Sequence, residues 1–215
     1  LKRRDNAPIL KDVYGGIIDI LMKEQNIEKS IEFLNKSLND IVNEKYPIDK
    51  LIITKSLRSN YKNPKQIAHK VLADRITLRD PGNKPKSGDR IGYVYIVNNS
   101  KKALQGDKIE LPSFIIENKL KIDYTHYITN QIMKPVIQIY GLVLLQMKSF
   151  SRKKEKYLDE IHTIKSNFDS QEKIRNKIED LNYKYVKTLL FDNYINKLTN
   201  IKNNQNDIRE FFNNA

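Results

Sequence analysis

The chain has 215 residues, with 39 Lys and Arg against 26 Asp and Glu, a formal charge of +13 and a pI near 9.6. Its 39% of hydrophobic residues can bury a core, which excludes disorder throughout, and its lack of cysteine excludes disulfides, thiolate zinc sites, iron–sulfur clusters and cysteine nucleophiles. So large a basic excess favours a polyanionic partner, nucleic acid first, although an AT-rich genome enriches Lys, Asn and Ile whatever the partner. Residues up to Leu145 hold 25 basic and 16 acidic groups, and the remainder 14 and 10, so the front two-thirds is the more strongly basic part. The longest apolar stretch, Val136 to Met147, is interrupted by Gln138 and too short to cross a bilayer. No signal-type segment opens the chain, which implies an intracellular protein, and it begins at Leu1 within a basic run, as a piece of a longer one would.

In chain order, Pro8 to Met22 spaces Ile9, Leu10, Val13, Tyr14, Ile17, Ile18, Leu21 and Met22 as one face of a helix, with Asn6 as a cap candidate. Gly15 and Gly16 either weaken that helix or admit a close neighbour. A second helix runs from about Glu28 to Lys45 with Ile31, Leu34, Leu38, Ile41 and Val42 on one face, stopped by Pro47. Leu51 to Thr54 is a β-type run ending in Lys55. Pro64 opens a third helix carrying Ile67, Ala68, Val71, Leu72 and Ile76. Arg79 to Arg90, with two prolines and two glycines, is a loop, and Ile91 to Val97 a strand. Tyr124 to Leu145 is a long helix with Tyr127, Ile128, Ile132, Ile139, Tyr140 and Val143 buried and Pro135 bending it. After the basic run Lys148–Lys156, Ile161, Ile164 and Phe168, then Ile174, Ile178, Leu181, Tyr185 and Leu189, predict a helical hairpin broken near Ser166–Ser170. Asn200 to Ala215 is an Asn-rich flexible tail. The fold class is mainly α with a small β element, divided as 1–145, 146–199 and 200–215.

Catalytic signatures are missing. His69, His126 and His162 stand at no metal-ligand spacing and read as packing or surface residues. Gly82 and Gly88 flank lysines without the ending of a phosphate-binding loop, and no nucleophile elbow is present.

Several segments do carry a pattern. They are Lys2-Arg3-Arg4-Asp5-Asn6, Leu51-Ile52-Ile53-Thr54-Lys55, Gln66-Ile67-Ala68-His69 with Ala73-Asp74-Arg75, and Arg79-Asp80-Pro81-Gly82. Gly88-Asp89-Arg90-Ile91-Gly92-Tyr93-Val94 follows, then Ile122-Asp123-Tyr124-Thr125-His126-Tyr127 with Asn130-Gln131 and Lys134-Pro135. In this order and spacing the chain resembles the C-terminal thumb region of family B DNA polymerases, of the delta type and its relatives in large DNA viruses. The likeness fades after about Leu145. The resemblance implies a parent enzyme that extends a primer with two divalent metals, Mg, in a palm whose acidic motifs are absent here. It assigns no catalytic residue, metal ligand or cofactor to this segment, and gives it the grip on the primer–template duplex, inside the nucleus or a viral replication compartment. The family's cellular members tend to end in cysteine-rich metal modules, a pattern this chain departs from.

A grip indifferent to sequence uses phosphate contacts from Lys and Arg. The candidates are Lys2, Arg3, Arg4, Lys55, Arg79, Lys84, Lys86 and Arg90. Arg75 and Arg90 equally suit structural pairs with Asp74, Asp80 or Asp89, while Tyr124 and Tyr127 share an apolar face and read as core. In the tail, Gln205, Ile208, Phe211 and Phe212 resemble the peptide by which replication proteins hold the sliding clamp of the proliferating cell nuclear antigen type. The competing reading of that tail is a last helical turn packed on the hairpin. For the chain as a whole, the competitor is a free-standing basic helical protein that binds nucleic acid or scaffolds replication proteins without enzymatic activity; a membrane-surface helix protein is a weaker third reading, because the buried faces are sized for a core.

Overall fold

The computed structural model describes residues 6–100 and 102–201. Lys2, Arg3, Arg4, Gln205, Ile208, Phe211 and Phe212 lie outside them. The architecture is mainly helical with a small antiparallel sheet, and the chain divides into two units. One holds the described part of Leu1–Asp12 with Lys45–Tyr127, the other Val13–Glu44 with the described part of Ile128–Ala215.

In the first unit, three short strands, β1 (Ile53–Ser56), β2 (Arg90–Tyr95) and β3 (Ile109–Glu110), form an antiparallel sheet in that order. The register sets Ile53 opposite Tyr93 and Val94 opposite Glu110, and all four are buried. Helix α3 (Ala68–Arg79) packs against β3 and the turn Gln105–Lys108, burying Leu72 and Ala73. The polar stretch before Tyr124, which carries no helical or strand periodicity, also supplies β3 and the short helix α4 (Pro112–Glu117). Tyr127 closes the unit: its fully buried hydroxyl donates to Leu51 O at 2.7 Å and accepts from Tyr95 N at 3.1 Å. Tyr127 and Tyr124 are core residues, as their shared face indicated.

In the second unit, α2 (Ile27–Val42) is capped by Asn26, whose side chain accepts from Lys29 N at 2.9 Å. Ser30, Ile31, Leu34, Ser37, Leu38 and Ile41 make its buried stripe. Burying Ser30 is tolerated because its hydroxyl donates to Ile27 O and accepts from Tyr140 Oη at 2.9 Å. The helix α1 (Pro8–Asp19) ends in a π-helical turn, Ile20–Glu24, and at Gly16 the Phe33 ring stands where a Cβ would be, 2.3 Å from the built position. Gly16 is therefore a close-approach glycine.

Tyr124 to Val143 is helical, but not one regular helix. A short turn α5 (Tyr124–His126) leads into a π-helical stretch, Tyr127–Met133, and then α6 (Lys134–Val143). Widening the helix advances the phase of the residues that follow. Ile139 and Val143, expected inside, are half-exposed; Tyr140 is buried as expected, together with Val136, Ile137 and Leu144. The hairpin is α7 (Lys154–Asn167) and α8 (Gln171–Leu190), and α8 packs along α6. Its buried residues are Tyr157, Leu181, Tyr185, Val186 and Leu190, while Ile161, Ile164, Phe168, Ile174, Ile178 and Leu189 are half-buried.

Candidate nucleic-acid interface

The loop joining α3 to β2 is held by its own polar groups. Asp80 Oδ1 accepts from Gly82 N at 3.1 Å, and Asp89 Oδ2 accepts from Lys86 N at 2.7 Å. Beyond the β1–β2 ladder, Gly88 N donates to Leu57 O and Leu57 N to Asp89 O, at 2.9 and 2.8 Å. Gly88 has a φ of +95°, which glycine alone adopts without strain. The loop is thus pinned to the end of β1 while Lys84 and Lys86 project from it exposed.

A recess of about 160 Å³ lies between this loop, α3 and the turn after β1, and Arg58, Lys70, Lys84 and Lys86 line it with Ser59, Ser87 and Asp74. Lys70 is paired with Asp74, four residues along α3. Arg58 is positioned by its backbone N–H, which donates to Tyr61 Oη at 2.8 Å; that oxygen also meets His69 Nε2 at 3.1 Å. Burial first, then the charges of Lys55 and, more weakly, Arg58, hold the His69 imidazole below its ordinary pKa. His69 is thus neutral at pH 7, a packed residue among cations. His126 is packed too, stacked on Tyr95 with ring centroids 3.4 Å apart and pushed down by burial to a pKa of about 4, while His162 is exposed.

The structure brings Lys84 and Lys86 together and sets Lys55 close enough to act on His69. Arg90 stays at the β1–β2 edge, donating to Ser56 Oγ at 3.2 Å and Thr54 O at 3.4 Å. Arg79 is engaged elsewhere: its guanidinium bonds Glu110 Oε2 at 2.9 Å and lies 3.6 Å over the Phe114 ring. Arg75 donates to Gly106 O and Ile109 O and sits 3.5 Å from Glu110. The pairing of Arg75 or Arg90 with Asp74, Asp80 or Asp89 is therefore corrected. Asp80 and Asp89 serve backbone amides, and Arg75 turns to β3, where a 3%-exposed carboxylate needs compensating charge. Sequence reading missed Arg58 and Lys70; their one signal was a basic residue in the polar turn after β1 and another one turn into α3. Among the described residues, no group of three or more His, Cys, Asp or Glu could hold a metal ion.

Residues 1–143 match the family described as DNA polymerase family B, and the chain belongs to that family. It is 49% identical over 215 residues to the DNA polymerase of Pyramimonas orientalis virus, covering 99% of this chain and 18% of that one. It is 54% identical over 149 residues to the DNA polymerase of Acanthamoeba polyphaga mimivirus, 67% of this chain and 9% of that one. The DNA polymerase delta catalytic subunit of Caenorhabditis elegans is 34% identical over 143 residues, 66% of this chain and 13% of the subunit. The chain thus spans less than a fifth of each of these relatives. The solved family B DNA polymerase of Pyrobaculum calidifontis shares the fold, with a TM-score of 0.50 and 23% identity over 63% of this chain and 18% of that structure.

Proposed function

We propose that this chain is the thumb-side segment of a DNA-directed DNA polymerase, gripping the primer–template duplex by phosphate contacts while other parts of the enzyme carry out nucleotide transfer. Family membership supports the polymerase context. The observation that carries the grip is the convergence of Arg58, Lys70, Lys84 and Lys86 on one recess beside a loop fixed by backbone hydrogen bonds. Lysines on a fixed loop neutralise phosphates without reading base edges, so every sequence is held alike. Lys55 and Arg90 extend the basic edge, Lys2, Arg3 and Arg4 precede it in the chain, and Arg79 contributes as far as its pairing with Glu110 allows. In this reading the two divalent metals sit in the palm of the parent enzyme, and the protein works where DNA is replicated, in the nucleus or a viral replication compartment. Among the described residues no helix is long and apolar enough to cross a membrane. The pattern Gln205, Ile208, Phe211, Phe212 supports a sliding-clamp tether: one helical turn would bring its three apolar residues to one side.

Fluorescence anisotropy of the chain on a primer–template duplex, a single strand and a blunt duplex, across a salt series, tests the grip. The expected result is steep salt dependence with duplex preferred, and a slope reduced by about 1.8 in the Lys84→Gln/Lys86→Gln variant, about 0.9 per phosphate contact. An unchanged slope in that variant refutes the assignment of the loop. For the tail, Phe211→Ala with Phe212→Ala abolishes clamp binding and leaves duplex binding alone; retained clamp binding sinks the tether.

A further inference from the structure

The match to the polymerase family ends at residue 143, yet the chain after it is well built. Phe150, Tyr157 and Tyr185 meet edge to face, with centroids 5.4, 5.4 and 5.5 Å apart and planes 81° to 88° from one another. Such a triad locks the start of α7 to α8. Two part-buried hydroxyl contacts reinforce it: Tyr157 Oη donates to Asn182 Oδ1 at 2.6 Å and Tyr185 Oη to Glu160 Oε1 at 2.9 Å.

Above this joint lies a recess of about 240 Å³ lined by Lys153, Lys156, Lys184, Tyr185 and Thr188, with no carboxylate among them. All three lysines are exposed, and none forms an ion pair with any described residue. Lys184 has a cation–π contact instead, its Nζ 5.9 Å from the Tyr185 ring centroid. Glu160 on α7 accepts from Tyr185 Oη and forms no ion pair with any of the three. Three cations gathered in one recess without an ion pair to any described residue repel one another, a cost that a polyanion removes.

We propose that this recess is a second phosphate-backbone contact for duplex DNA, separate from the loop carrying Lys84 and Lys86. The cationic surface stands on geometry alone, while the choice of DNA as the polyanion rests on the polymerase reading. Duplex is favoured over single strand because strand binders present open aromatic faces for bases to stack on. Tyr185 has no such face to offer: it is 9% exposed and its ring is engaged by Phe150 and Tyr157.

The test is a salt titration of the 215-residue chain on a fluorescein-labelled 20-base-pair duplex. Lys153→Gln/Lys156→Gln/Lys184→Gln is compared with Lys165→Gln/Lys173→Gln/Lys177→Gln, which removes equal charge from exposed positions outside the recess. Three lost phosphate contacts lower the salt slope by about 2.7 in the first variant, at about 0.9 each, with little change in the second. Equal slopes in the two variants, or no duplex binding at low salt, overturn the proposal. So does a single strand of equal phosphate number, or a 20-residue poly-glutamate competitor, that binds more tightly than the duplex through the same three lysines. The Lys84→Gln/Lys86→Gln variant keeps the two readings apart: a slope lowered only by the recess variant sinks the loop assignment and leaves this one standing.

Discussion

Removing one oxygen from the core should loosen the whole first unit. Tyr127 Oη lies at 0% exposure between two backbone groups at the same end of the β1–β2 pair, the carbonyl of Leu51 and the amide of Tyr95. Burial raises the phenol's pKa, so it stays a proton donor at every usable pH and the bond to Leu51 holds. Tyr127→Phe removes that bridge without opening a large cavity, leaving a buried C=O and a buried N–H each short of a partner. An unmatched buried group costs about 1–3 kcal/mol, so the pair should cost about 2–6 kcal/mol. For a chain of this size, about 3 kcal/mol lowers Tm by roughly 6–12 °C. Thermal and urea unfolding followed by circular dichroism reads this directly, with Tyr183→Phe as the control, since Tyr183 is 37% exposed. If Tyr127→Phe unfolds within about 0.5 kcal/mol of the parent chain, the bridge contributes nothing and the reasoning fails. Leu51 lies two residues before β1, so the same substitution should also weaken duplex binding through a misplaced Lys55.

Two further outcomes follow from the same unit. Glu110→Ala removes the buried carboxylate between Arg75 and Arg79 and should cost about 2 kcal/mol in urea unfolding, less than a fully buried pair because Arg79 is more than a third exposed; no loss would make the pairing incidental. His126 titrates near pH 4 when folded and near 6.5 when unfolded, so the unfolded chain binds more protons between those values, and stability is complete above pH 6.5 and lost as pH falls toward 4. The loss should be about 2 kcal/mol after discounting for partial exposure, and His126→Phe, which preserves the stack on Tyr95, should flatten that part of the unfolding profile; an equal slope in both chains counts against it.

What the sequence made legible was local. The apolar stripe of α2, the β run ending at Lys55 and the Pro-Gly loop each follow from spacing or turn chemistry, and each is found. What it hid was non-local. β3 and α4 are too short to show a period, and they are fixed by Arg75 reaching carbonyls more than thirty residues away and by the buried Glu110 between two arginines. The misplacing of Ile139 and Val143 has another cause: periodicity assumes one helix geometry, and the π-helical stretch at Tyr127–Met133 changes it midway. In the interface, the lysines of the loop were legible as charge, but their gathering with Arg58 and Lys70 depends on the bonds between Leu57 and residues 88–89.

The acids of the first unit explain how a basic surface keeps its shape. Residues 45–127 contain 17 Lys and Arg against 8 Asp and Glu. Asp80, Asp89, Asp107 and Asp123 all accept from nearby backbone amides, while Asp74 and Glu110 hold α3 side chains. These carboxylates act on the framework that presents the cations, which separates a Coulombic account of binding from a structural one at Asp89. Asp89→Ala raises the net charge by one, so attraction alone predicts tighter duplex binding. Yet it also frees the amide of Lys86 from its 2.7 Å bond, so the loop must be ordered on binding. Losing a hydrogen bond of about 1 kcal/mol, a factor of about five, should outweigh one screened exposed charge. Asp89→Asn keeps an acceptor oxygen without the charge and should bind at least as tightly as the parent chain. Anisotropy at fixed salt therefore has a signature: weaker for Asp89→Ala, equal or tighter for Asp89→Asn. If both bind more tightly to the same degree, the loop needs no fixing and its lysines act by charge alone.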